Sequence, residues 1–292
     1  MALTSSQVDQ FRHDGYLDCG PLLEPEEVNV LLAHLMDLFV EENVRDNMAV
    51  RHGSDGVVDL CNLLQGIVDR YPGAMTDPLA TAIEHARKAA VVLVEAEARG
   101  EITYMQVDSA DRFLQVRDVH EKDSVFADLV RDDRILGIAE SLLGPNIEVE
   151  GDQALFKPAF HGGELPWHTD NGYWNYHPPN LITCWIALAD VKEENGALRF
   201  IPGSNRESPA EQRAIAGSSL QEMDVDESLA RTVELPPGGC SWHHCLTQHQ
   251  TRPNRTPHPR PSYSIIYKST DVKDRAGYPV RGKLVRGERK VD

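Results

Sequence analysis

No stretch of this 292-residue sequence approaches the roughly 18 consecutive apolar residues that a membrane-crossing helix needs. Its opening, MALTSSQVDQFRHDGY, lacks the basic segment and long apolar run of a secretory signal, and a cytoplasmic protein is the expectation. Cysteine is scarce and poorly placed for joint work. The five, Cys19, Cys61, Cys184, Cys240 and Cys245, are odd in number, widely spread and free of any C-x-x-C pair, which argues against a disulfide framework and a zinc knuckle. Positive charge is also short: 29 Lys and Arg face 46 Asp and Glu, a formal charge of −17. A field of that sign repels phosphate backbones and anionic lipid, so neither nucleic acid nor a membrane surface is an expected partner. It serves solubility first and a cationic ligand second. Internal repeats and low-complexity tracts are absent too.

What is present is an ordinary globular mixture, 41% hydrophobic and 26% charged, on a chain long enough to bury a core without covalent staples. Thr4 or Ser5 caps a short helix over 4–14 in which Val8 and Phe11 share a face, and Asp14-Gly15-Tyr16 turns into an extended piece. Pro25, Glu26 and Glu27 suit a helix start, after which Val28, Leu31, Leu32, Leu35, Leu38 and Phe39 recur at threes and fours. Residues 45–75 carry no readable period. An Ala-rich helix is expected over 78–98 and another over 123–143, stopped by Gly144-Pro145. From Ile147 the pattern changes to short β-type runs broken by Gly, Pro and Asn: IEVEGDQALFK, LITCWIALADV, ALRFIPGS, RTVELPPGGCSWHH and SYSIIYKST. Such spacing suits a sandwich or barrel. The expectation is one domain over 1–292, with a helix-rich part at 1–145, a β core at 146–272 and a C-terminal tail at 273–292.

The segment LPWHTDNGYW, residues 165–174, places His168 and Asp170 two apart. On an extended strand such residues share a face, so one imidazole and one carboxylate can approach one metal. H-x-D alone is common by chance, and the flanking Trp167, Tyr173 and Trp174 are as readily core as pocket lining. His243, His244, His249 and His258 lie downstream as candidates for a third ligand. Two histidines and one carboxylate make the open facial set of ferrous oxygenases. Zinc more often recruits cysteine and closes its shell, and Cys245 beside these histidines keeps a zinc site as an alternative.

The run HHCLTQHQTRPNRTPHPRPSYSIIY makes the pattern specific. Together with H-x-D it resembles the phytanoyl-CoA dioxygenase family of iron- and 2-oxoglutarate-dependent oxygenases. In that family an H-x-S-x-x-N turn carries the second metal histidine, and an arginine further on binds the distal carboxylate of 2-oxoglutarate. Here the turn reads His249-Gln250-Thr251-Arg252-Pro253-Asn254, with Thr251 in place of serine, and the arginine falls on Arg260. The resemblance selects His249 as the ligand. It leaves His243 and His244 as supporting or packing residues and His258 in a loop. TCWIALADVKEENGALRFIPGS, residues 183–204, is similar to the family's W-I-A-L-x-D, N-G-x-L and I-P-G-S-H stretches, departing at Asn205, where the family's histidine is not a metal ligand. In QALFK, Gln153 and Lys157 fall where the family's strand can approach the co-substrate. F-x-x-D-G-Y, Phe11 to Tyr16, fits the family's opening and reads as structural. Residues 40–120 match nothing recognised.

The resemblance implies a mainly β fold with flanking helices, a double-stranded β-helix of jelly-roll, cupin-like type. It implies Fe(II) on His168, Asp170 and His249. It implies 2-oxoglutarate held at its far carboxylate by Arg260 and Thr251, with Gln153 nearby and Trp185 as a wall. O2 is then consumed, succinate and CO2 are released, and a C–H bond of a small metabolite, polar or amine-bearing, is oxidised, in the simplest case by hydroxylation. Halogenating relatives lack the carboxylate ligand, so Asp170 speaks against halogenation. Desaturation, ketone formation, epimerisation and cyclisation stay open, as does a non-catalytic ligand-binding protein of the same fold. A cupin-like metal enzyme without 2-oxoglutarate would have no need of Arg260. Asp152, Glu164, Asn171 and Tyr173 flank the metal motif, and each by itself is expected to be a solvated loop residue.

Overall fold

The computed structural model describes residues 2–40, 114–157, 163–207, 211–216 and 220–289. The helix expected at 78–98 and Cys61 lie outside these residues. Helix α1 (Ser5–Asp14) leads into β1 (Tyr16–Pro21) and α2 (Pro25–Val40). Strand β2 (Leu114–Arg117) precedes α3 (Val119–Lys122), α4 (Ser124–Leu129) and α5 (Asp133–Leu143). Then come β3 (Ile147–Lys157), β4 (Leu165–His168), the short helix α6 (Asp170–Trp174), β5 (Leu181–Ala187) and β6 (Leu198–Phe200). A small pair, β7 (Arg213–Ala214) and β8 (Gln221–Glu222), is followed by β9 (Arg231–Val233), β10 (Gly239–His244), β11 (His249–Thr251), β12 (Arg260–Ser269) and β13 (Lys283–Arg286).

Two antiparallel sheets face each other. The larger runs β1-β10-β5-β12-β3-β13, with β2 also on β3, and the smaller runs β4-β11-β6-β9. From β3 to β6, and again from β9 to β12, successive strands alternate between the sheets. That winding is a double-stranded β-helix of jelly-roll type, the mainly β architecture expected.

Side-chain alternation gives the large sheet two different faces. Cys184, Ile186, Cys240, Trp242, Tyr263, Ile265 and Tyr267 join Leu31, Leu32, Leu35, Phe126, Ile135 and Ile138 from the helices in one core. The intervening residue Trp185 packs instead with Leu198, Phe200 and Val233 of the small sheet. Strand β3 keeps this arrangement by means of a bulge. Its register with β12 passes from Val149↔Tyr267 to Gly151↔Ile266, which leaves Glu150 as the extra residue. Ile147 and Val149 before the bulge, and Ala154 and Phe156 after it, all reach the helix-side core. Without the extra residue one set would turn to the other face.

Several expected elements are divided. The helix over 123–143 is two, because Asp132 accepts a bond from the Arg134 N–H at 2.7 Å and starts a new helix, as Asp123 does at Val125 N–H, 2.8 Å. The run RTVELPPGGCSWHH is β9 and β10, separated at Pro236-Pro237, which offer no N–H to a ladder. The expected tail contains β13, which pairs with β3. The buried Glu148 carboxylate takes both Lys268 and Arg289 beside it. Cys19, Cys184 and Cys240, far apart in sequence, meet as free thiols at the helix-side core.

Gly15 links the N-terminal helix to the site. It ends α1 at φ +81, and its carbonyl accepts from the Thr247 hydroxyl at 2.7 Å. A Cβ there would lie 2.5 Å from Thr247 Oγ1 and 2.7 Å from Asn205 Oδ1. Gly15→Ala combines a left-handed backbone with this clash, and is expected to lower the unfolding free energy by roughly 1–3 kcal/mol in urea denaturation.

Candidate metal centre

His168 ends β4 and His249 begins β11, and the antiparallel register sets them directly opposite, ring centroids 4.2 Å apart. His249 is therefore a strand residue and not part of a turn; the loop follows it and is closed by the buried Asn254, whose amide donates to the His258 carbonyl at 2.7 Å. Each histidine has one nitrogen committed. His168 Nδ1–H donates to the Pro166 carbonyl at 2.7 Å, and His249 Nδ1–H to the Thr247 carbonyl at 2.9 Å. A carbonyl only accepts, so these bonds set the tautomers and leave both Nε2 lone pairs free.

The strand carrying His168 does not continue to Asp170, as the sequence pattern suggested. Thr169 is extended (φ −119, ψ 142) and Asp170 opens α6, so the two-residue offset still brings the carboxylate to the same side. Asp170 Oδ2 accepts from the Thr183 hydroxyl at 2.9 Å and from His243 Nε2 at 3.2 Å, both on the large sheet. Asp170 Oδ1 lies 3.9 Å from His168 Nε2 and 3.6 Å from His249 Nε2. Among the described residues His168, Asp170 and His249 are the one group of three such side chains with ligand atoms all within 4.8 Å of one another.

Burial lowers the pKa of both His168 and His249, which keeps the imidazoles neutral and their lone pairs available. For Asp170 burial pulls upward, but His249, His243 and His168 outweigh it and hold the carboxyl well below its usual range. Two neutral nitrogens and one carboxylate oxygen on one side suit a divalent ion with open positions. Among the described residues no thiol joins them: Cys245 Sγ–H donates to the Pro179 carbonyl at 3.3 Å.

Beside this group lies a small inner chamber whose walls include Trp185, Thr251, Arg260 and Ser264. Arg260 is fully buried at the start of β12. Its Nη1 donates to Ser262 Oγ at 2.8 Å, and its guanidinium sits over the Trp185 ring, 5.2 Å from the centroid. Its Nε and the buried Thr251 hydroxyl have no hydrogen-bond partner, and burial alone pushes the guanidinium pKa down. Lys157, opposite Arg260 in the β3–β12 register, donates to the Gly163 carbonyl and does not line the chamber. Burial first, and then the Arg260 charge, depress its pKa well below the ordinary value. A buried guanidinium with spare N–H capacity, next to an orphan hydroxyl, is a cradle for a carboxylate.

A second, outer chamber of about 460 Å³ shares Gln153, Leu155, Leu165, His168 and Asp170 with the inner one. His168 and Asp170 thus stand at the junction of two spaces, with Gln153 beside them, and His249 stands on the inner one. Tyr173, Trp174 and Tyr176 line the outer space. Asp152, expected to be solvated, is buried in β3 and accepts from His120 N–H at 2.9 Å, His120 Nδ1 at 3.0 Å and the Tyr263 hydroxyl. Asn171 is structural, accepting from Tyr176 N–H at 3.0 Å, while Glu164 and His258 are exposed. His244 Nδ1 accepts from Leu246 N–H at 3.2 Å, away from the site.

Thr183 and Glu150 were missed by sequence reasoning. The only signal for Thr183 was its period of two with Trp185. His243, expected as support or packing, holds Asp170. His243→Ala is expected to weaken metal binding about 10- to 100-fold, read by titration of the metal-free protein, since outer partners of metal ligands carry effects of that size.

The model of the family described as phytanoyl-CoA dioxygenase (PhyH) matches residues 11–262. Among curated proteins, an ectoine dioxygenase of Bordetella parapertussis is 25% identical over 291 residues, covering 92% of this chain and 77% of its own. The L-proline trans-4-hydroxylase of Streptomyces griseoviridis is 31% identical over 172 residues, 58% of each chain. Among solved structures, the non-haem alpha-ketoglutarate-dependent epimerase SnoN from nogalamycin biosynthesis superposes with a TM-score of 0.62 at 19% identity, over 97% of this chain and 98% of that one, a likeness of fold.

Proposed function

The chain belongs to the phytanoyl-CoA dioxygenase family, an Fe(II)- and 2-oxoglutarate-dependent oxygenase, and we propose that it hydroxylates a C–H bond of a small polar metabolite at the junction of its two chambers. His168 Nε2, His249 Nε2 and Asp170 Oδ1 would hold the iron. Arg260, with Thr251, would take the far carboxylate of 2-oxoglutarate in the inner chamber, against the Trp185 ring. Iron and co-substrate, once bound with O2, supply the oxidising chemistry: 2-oxoglutarate is decarboxylated to succinate and CO2 as the substrate C–H bond is oxidised.

The observation that carries this reading is the buried Arg260, unpaired with any acid among the described residues and flanked by an orphan hydroxyl, in a space sharing walls with the His-Asp-His group. A permanently charged planar donor there has a purpose only if a carboxylate arrives. The protein's part is to orient and to exclude water. The two carbonyl-bound Nδ1 groups keep both imidazoles in one tautomer, and Thr183 and His243 keep Asp170 turned so that a single oxygen points inward. The outer chamber, at about 460 Å³, has the size of a small-metabolite site. Two relatives that act on small molecules by name, the ectoine dioxygenase and the proline hydroxylase, support hydroxylation of such a substrate.

The test is anaerobic addition of Fe(II) and 2-oxoglutarate to metal-free protein. A visible metal-to-ligand charge-transfer band is the expected result. Absence of the band, with tight co-purifying zinc, would overturn the assignment of the site.

A further inference from the structure

Glu150 is the extra residue of the β3 bulge, and bulges beside active sites commonly re-aim one side chain. Glu150 lines the outer chamber, on whose wall His168 and Asp170 also stand. Its Oε1 accepts from the Tyr176 hydroxyl at 3.0 Å, which holds the carboxylate in place. Its Oε2 is buried and has no hydrogen-bond partner. Among the described residues it is paired with one cation, Lys268 Nζ at 4.0 Å, which already donates to Glu148 Oε2 and, at 2.5 Å, to the Val280 carbonyl. Burial raises the Glu150 pKa, as for a carboxylate with too little compensation. Next to it Trp174 and Tyr176 are stacked, centroids 6.1 Å apart, and both face the same chamber. Of the described lining residues only Arg117 carries a permanent positive charge, and it is exposed.

We propose that Glu150 selects substrates bearing a cationic nitrogen, a protonated amine or an amidinium, by a charge-assisted hydrogen bond to Oε2, with Tyr176 and Trp174 as the apolar wall of the same subsite. A largely buried carboxylate with one oxygen free of hydrogen bonds, beside aromatic faces, is the arrangement that recognises such a group. The cation satisfies the carboxylate and is anchored on one wall of the chamber, so that the carbon skeleton attached to it extends toward the His-Asp-His group. The proposal rests on the oxygenase reading above and names its substrate class.

The experiment uses protein loaded anaerobically with Fe(II) and 2-oxoglutarate. Binding of pyrrolidine and L-prolinamide, both cations at neutral pH, is measured by calorimetry against their neutral N-acetyl counterparts. In the wild type the cations are expected to bind at least about tenfold tighter, a preference that Glu150→Gln removes and Tyr176→Phe reduces. The charge-transfer band is expected to persist in both variants. Neutral compounds binding as well as cations, no cation binding at all, or a preference surviving in Glu150→Gln would each overturn the proposal. If Glu150→Gln fails to fold, the wild-type panel and Tyr176→Phe still decide. Loss of the wild-type charge-transfer band would instead overturn the oxygenase site, independently of the calorimetry.

Discussion

His168→Ala and His249→Ala, each made alone, are expected to abolish the charge-transfer band and to lower turnover by more than about 1000-fold, well beyond the 10- to 100-fold effect of losing an outer partner of a metal ligand. Each removes a nitrogen that the fold has already prepared. The Nδ1 bonds to Pro166 and Thr247 orient the rings without metal. Among the described residues His243 is the nearest other imidazole, and its Nε2 is spent on Asp170. Asp170 separates binding from folding. Asp170→Asn keeps an oxygen for the Thr183 hydroxyl and is expected to lose metal with little change in stability. Asp170→Ala leaves the Thr183 hydroxyl and His243 Nε2 buried and unpaired, and is expected to cost a further 1–3 kcal/mol or so for each group, read by urea denaturation of the metal-free protein. Equal stability of the two variants would show that these bonds to Asp170 contribute nothing.

Arg260→Ala is expected to raise the 2-oxoglutarate concentration needed for half-saturation by about 30- to 1000-fold. That range corresponds to roughly 2–4 kcal/mol for one or two charge-assisted hydrogen bonds lost from a dry site. Arg260→Lys is expected to recover only part of the loss, because a point charge cannot reproduce the planar fork. A second consequence is opposite in sign. Without co-substrate the guanidinium is buried with no acidic partner, a costly state, so Arg260→Met is expected to raise the melting temperature of the metal-free protein. Adding Fe(II) and 2-oxoglutarate should then stabilise the wild type and leave Arg260→Met nearly unmoved. If Arg260→Met melts lower than the wild type, the arginine is serving the core, packed on Trp185, and the co-substrate must be held elsewhere.

The local motifs were legible in the sequence. H-x-D, the H-x-T-x-x-N run and the arginine after it are short-range patterns, and the residues they name, His168, Asp170, His249, Thr251 and Arg260, do line one connected space. The β-type runs from Ile147 onward and the capped first helix were equally readable, since both depend on neighbours a few residues apart. Tertiary structure decided the rest, because it depends on pairing between distant strands. The β4–β11 register makes His168 and His249 opposite numbers. Nothing in the sequence says that Thr183 and His243, on two other strands, converge on one oxygen of Asp170. Asp152 lies beside the metal motif in sequence order yet is spent on His120 and Tyr263, while Glu150, two residues earlier, is turned into the chamber by an extra residue in a ladder. A bulge is a mismatch between two strands, so neither strand's sequence alone contains it, and the face each side chain takes follows from that pairing.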